Sequence, residues 1–155
     1  VSVHVNLGSD YDYQMIKDFG HVSSECHKWG MPLLAMVYAR GKNINEFDAD
    51  LNMVGARVAM EMGADVVKVN YINDKEKFHK LVNSVNIPVV VAGNCLECDV
   101  RYFYNRIGDA MESGAAGVAV GRNVFQREDM GSVMNAIDMI VNHGSAVDEV
   151  METLN

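Results

Sequence analysis

Five short apolar runs, rich in β-branched residues, punctuate the chain at 1–7, 33–38, 65–71, 88–92 and 117–120. None alternates strictly between apolar and polar positions, as expected of parallel strands covered on both faces. Between them the period changes to that of a helix. Met15, Phe19, Val22, Cys26 and Trp29 recur at steps of four and three and make one apolar stripe. Leu51, Val54, Val58 and Met62 make a second, behind Asp48 as N-cap. Phe103, Ile107 and Met111 form a third, and Met130, Val133, Ile137 and Val141 a fourth. A weaker helix is expected over 74–82, and Ser145 with Asp148 marks a capped terminal one. Gly30, Gly63 and Gly114 stand where a helix must stop before the next strand, the place of a C′ glycine.

Strand–helix repetition with short links implies right-handed crossovers and a parallel sheet, an α/β fold. The stretch 59–64 echoes 110–115, either as a real repeat of βα units or as the common look of any helix–glycine–strand junction. Five such units fit part of a closed eight-stranded barrel or an open doubly wound sheet. A dinucleotide-binding sheet carries G-x-G-x-x-G after its first strand, and Gly8-Ser9-Asp10-Tyr11 lacks it. No linker or low-complexity stretch divides residues 1–155, so a single domain is expected.

Composition narrows the classes. The 155 residues are 49% hydrophobic and 22% charged, an ordinary globular balance. A net charge of -8 without a basic stripe argues against nucleic acid as partner. No apolar run reaches the ~20 residues of a membrane span. Three cysteines are an odd count, so a reducing cytoplasm is expected rather than a disulfide framework. The opening directly into a strand at Val1, without methionine, suggests that earlier sequence precedes it.

Lys68 is the residue with the most chemistry. It sits between Val67 and Val69 in a strand-like run, although lysine is poor in strands and seldom buried. Strand alternation puts it on the face of Val66 and Asn70. Burial there would favour the neutral amine, which attacks carbonyls to form an iminium, an electron sink for carbon–carbon chemistry. The alternative is a lysine that snorkels from a strand end or pairs with a buried carboxylate. Tyr38 ends its strand, where a phenol either moves a proton or merely packs. Arg40 either meets a substrate anion or is solvated. Gly93, and Gly121 with Arg122, close the last two strands, where barrels often bind phosphate; glycine there also suits any tight turn. His4 either lines the site or satisfies a core hydrogen bond. Cys95 and Cys98 form a C-x-x-C without a second ligand pair, so a chance pairing is expected rather than a metal or redox site.

Several blocks in order resemble one family: Val3-His4-Val5-Asn6-Leu7-Gly8-Ser9; Trp29-Gly30-Met31-Pro32-Leu33-Leu34-Ala35-Met36-Val37-Tyr38; Gly63-Ala64-Asp65-Val66-Val67-Lys68; Pro88-Val89-Val90-Val91-Ala92-Gly93; and Gly114 through Gln126. The chain is similar to the archaeal-type class I (Schiff-base) aldolases over essentially its whole length. The resemblance implies a (β/α)8 TIM-type barrel of which this chain supplies about the last five units. It implies Lys68 as the Schiff-base lysine and Tyr38 as the acid/base group. Gly93, Asn94, Gly121 and Arg122 would grip phosphate, with Arg40 and His4 nearby. It further implies metal-independent catalysis without a cofactor, phosphorylated ketose and small aldehyde substrates, and a homo-oligomer.

Within the family the blocks look more like a synthase that moves a three-carbon unit from a ketose 1-phosphate to aspartate semialdehyde, on an alternative route to 3-dehydroquinate. The alternatives are a fructose-1,6-bisphosphate aldolase and a non-catalytic sugar-phosphate-binding remnant or inactive fragment. Departures from the family pattern fall at Ala39 for a proline, at Tyr71-Ile72-Asn73-Asp74, at Asn94 for a glycine and at Cys95-Leu96. They bear on phosphate grip and substrate choice rather than on the lysine. The family's aspartate base belongs to the first strand of the barrel, outside this stretch.

Overall fold

In the computed structural model, residues 1–93 and 99–153 are described. Asn94, Cys95 and Cys98 lie outside them. The elements alternate as the periodicities require. β1 (Ser2–Leu7), α1 (Asp12–Trp29), β2 (Leu34–Ala39), α2 (Ala49–Glu61), β3 (Val66–Val69) and α3 (Lys75–Asn83) come first. β4 (Val89–Ala92), α4 (Val100–Glu112), β5 (Gly117–Ala119), α5 (Arg122–Phe125), α6 (Met130–His143) and α7 (Val147–Thr153) follow. Among the described residues no helix is long and apolar enough to cross a membrane.

The five strands pair in parallel in the order β1-β2-β3-β4-β5. Each unit is laid beside the last with no reversal. That excludes the doubly wound alternative, which needs a switch point in strand order. Right-handed crossovers in one sense put the helices on one face. There Val5, Val37, Val67, Val69, Val89 and Val91 meet Phe19, Ala56, Ala59, Phe78, Leu81 and Ala110. A second core joins Phe103, Tyr104 and Ile107 to Val124, Ala136, Ile137, Ile140 and Val150.

Among the described residues the other face lacks the layer of helices that covers the first, and α6 borders it beside β5. Its central row runs in register across all five strands: His4 beside Met36, Met36 beside Lys68, Lys68 beside Val90, Val90 beside Gly117. His4 is exposed and Met36, Lys68 and Val90 are half-buried. Coverage on both faces, expected from the strand composition, is therefore found on one.

Helix boundaries follow their caps. Asp48 accepts from the Leu51 N–H at 3.0 Å and Asp74 from the Lys77 N–H at 3.0 Å. Gly30 closes α1 at φ 61, in the left-handed region. The terminal helix starts one residue later than Ser145 suggested: the Ala146 N–H donates to the Glu149 carboxylate at 3.3 Å, half of a capping box shifted by one.

Candidate active site

Lys68 and Tyr38 come from adjacent strands, because β2 pairs Met36 with Lys68 and Tyr38 follows two residues on, on the same face. The Lys68 side chain borders an open cavity of about 690 Å³ with Val90, Gly117, Gly121 and, from α6, Met134 and Ile137. Among the described residues its ammonium makes no ion pair, which removes the buried-pair alternative. Burial among these neighbours lowers the amine below its ordinary 10.5. A half-buried lysine without a counter-ion reaches the neutral, nucleophilic form more readily than a solvated one.

Tyr38 is 7% exposed. Burial pushes its phenol up, the Arg40 guanidinium opposes that, and the Glu46 carboxylate adds to it. Two residues named from the sequence, His4 and Arg40, stand against its ring. His4 is not a core residue: its ring stands edge-on to Tyr38 with centroids 5.3 Å apart, and its Nε2 is 3.1 Å from Asn6 Oδ1. Arg40 is exposed but engaged. Its Nε donates to Glu46 Oε2 at 3.0 Å while its Cζ lies 4.6 Å from the Tyr38 ring centre.

Gly93 and the start of α5 are brought together. A methyl at Gly93 would stand 2.1 Å from Asn123 Oδ1, so the close approach requires glycine. Gly121, by contrast, has nothing within 4 Å of its own would-be methyl, and its φ of -127 strains no residue. The space beside it is open and continuous with the cavity of Lys68. The Arg122 side chain is exposed and makes no ion pair among the described residues.

No pattern in the sequence singles out Glu46, which lies in a loop without periodicity, or Arg106. Arg106 is buried on α4. Its Nη2 donates to the Tyr71 carbonyl at 3.0 Å, and its Cζ lies 6.0 Å from the Phe47 ring centre and 5.8 Å from those of Tyr71 and Tyr102. Tyr71 itself packs edge-on against Phe78 at 5.1 Å, and burial pushes its phenol up to about 12. The departure at Tyr71 therefore lies in packing, on the core side of the β3 end. Among the described residues no group of three or more His, Cys, Asp or Glu is placed to hold a metal.

The chain is similar to known proteins in both sequence and fold. The family model described as DeoC/LacD family aldolase matches residues 1–127. A protein of Archaeoglobus fulgidus named 2-amino-3,7-dideoxy-D-threo-hept-6-ulosonate synthase 1 is 41% identical over 154 residues, covering 98% of this chain and 56% of that protein. A Streptomyces griseus protein named 2-amino-4,5-dihydroxy-6-oxo-7-(phosphonooxy)heptanoate synthase is 40% identical over 147 residues, covering 94% of this chain and 54% of its own length. A solved archaeal fructose-1,6-bisphosphate aldolase, with its catalytic lysine covalently bound to the carbinolamine intermediate, superposes with TM-score 0.86. It is 29% identical, and the match covers 91% of this chain and 57% of that one. The chain thus spans about half the length of the relatives it matches.

Proposed function

Because the chain belongs to the DeoC/LacD family of aldolases, we propose that it supplies the Schiff-base part of an enzyme that transfers a three-carbon unit between a phosphorylated ketose and a small aldehyde. The observation that carries this is Lys68: half-buried, without a counter-ion among the described residues, and bordering the same cavity as Gly121. Its neutral amine adds to the ketose carbonyl, and loss of water leaves an iminium. That cation takes up the electron pair released when the carbon–carbon bond breaks, so no metal is needed as electron sink. Tyr38, beside it on β2, carries the proton to or from the substrate oxygen. The enamine carbon then attacks the acceptor aldehyde, and water hydrolyses the new iminium to free product and restore the amine. Gly121 and Arg122 receive the phosphate, with Gly93 fixing the turn against Asn123.

The acceptor best supported is aspartate semialdehyde, making the protein a 2-amino-3,7-dideoxy-D-threo-hept-6-ulosonate synthase. The support is the 41% identity to the Archaeoglobus fulgidus protein of that name, against 29% to the fructose-bisphosphate aldolase. The test is to incubate a barrel that contains these residues with a ketose 1-phosphate and aspartate semialdehyde and to look for the condensed amino acid by mass spectrometry. Its appearance is expected. Cleavage of fructose 1,6-bisphosphate with no use of aspartate semialdehyde would move the assignment to the aldolase.

A further inference from the structure

Arg40 and Glu46 have no place in the chemistry just described, yet they are organised around one of its groups. The loop that joins β2 to α2 turns back on itself at Glu46. The Glu46 carbonyl accepts from Asn52 Nδ2 at 2.8 Å and from Asn70 Nδ2 at 3.4 Å. Asn52 and Asn70 are both buried, 2% and 0% exposed. Asn70 stands two residues beyond Lys68. The next residue, Phe47, lies against the buried Arg106. The backbone at Glu46 is therefore pinned from α2, from the end of β3 and from α4. Only its side chain reaches outward, and it ends on Arg40, which lies over Tyr38.

We propose that Glu46 is a positioning residue: anchored through its own carbonyl to the Lys68 strand, it holds the Arg40 guanidinium over the Tyr38 ring and so fixes the phenol relative to the amine. Arg40 thereby serves the tyrosine rather than the phosphate. This rests on the roles given above to Lys68 and Tyr38. The Arg40–Glu46 pair is exposed, so it adds little to stability. Its effect is geometric, because the backbone of one partner is held. A cation over an aromatic face is held by the ring quadrupole, but an unrestrained arginine would sample solvent instead.

The groups around the Tyr38 ring are His4 from β1, and Arg40 and Glu46 from the end of β2 and the loop after it. The direction of a single titration separates positioning from simple charge. Arg40 holds the phenol down and Glu46 pushes it up, the arginine having the larger effect. If Glu46 acts only as a charge, Glu46→Gln lowers the Tyr38 midpoint. If Glu46 holds Arg40 in place, the same change frees the arginine and raises the midpoint, toward that of Arg40→Met.

The measurement is an NMR pH titration of Tyr38, in a tyrosine-labelled barrel that contains these residues, assigned with Tyr38→Phe. A rise in both variants, with the Tyr38 ring resonances moving alike, is the expected result. A fall or no change in Glu46→Gln overturns the proposal. Should that variant not fold, Glu46→Asp decides: it keeps the charge but shortens the reach, so a rise is expected and an unchanged midpoint overturns the proposal. Borohydride trapping on the unaltered chain is a separate check on Lys68, and its failure would leave the titration result standing.

Discussion

Lys68 and Tyr38 have separable jobs, and substitutions should separate them. Lys68→Arg keeps the charge but removes the amine that can form an iminium. Turnover is expected to fall by more than about a thousandfold, with no substrate adduct at that position by mass spectrometry. Tyr38→Phe leaves the amine in place. It should still form an adduct while turnover drops by about 10²–10⁴-fold, the usual contribution of a positioned proton-transfer group. The lysine also costs stability. Its folded value is depressed below 10.5 by burial, so unfolding takes up a proton in the window between the folded value and 10.5. Stability therefore climbs as pH rises through that window, and below it the penalty is present in full. Lys68→Met should remove it and raise stability at neutral pH by about 0.5–2 kcal/mol, read from urea denaturation.

At the scale of elements, the two glycine turns should respond in opposite ways. Gly93→Ala drives a methyl into Asn123 Oδ1 and should cost about 1–3 kcal/mol of stability. Gly121→Ala meets nothing in the protein and should leave the melting temperature unchanged. It should weaken sugar-phosphate binding about tenfold by calorimetry, because its methyl enters the space assigned to the ligand. These elements were also where the sequence was most and least informative. Strands, the four striped helices and the cap at Asp48 were legible because burial on one face imposes a period and a cap imposes a residue type. The four-residue α5 was not, since one turn is too short to show a period. Lys68 stood out as a charge in an apolar strand. Arg40 could be singled out but not placed, because its engagement depends on Glu46, a loop residue positioned by contacts from Asn52 and Asn70 that no local pattern encodes. The register of β1 against β2, which puts His4 beside the tyrosine rather than in the core, likewise emerges only from pairing.

At the scale of the molecule, sequential strand order and one-sided helices make five-eighths of a barrel wall. Its terminal strands β1 and β5 each have a single neighbour among the described residues, and the Lys68 face is only half-buried. Unpaired edges and an apolar inner face favour association. Light scattering of the 155-residue chain alone should show a mass that grows with concentration; a strictly monomeric species would contradict that. The partial wall nonetheless holds the strands of the amine and the phenol in register, and the proposed chemistry hangs on the amine. The most direct measurement is borohydride reduction of a barrel containing these residues in the presence of a ketose phosphate, followed by peptide mass spectrometry. The account predicts a single reduced substrate adduct on the peptide carrying Lys68. An adduct on a different lysine, or turnover of substrate with Lys68 left unmodified, would contradict it.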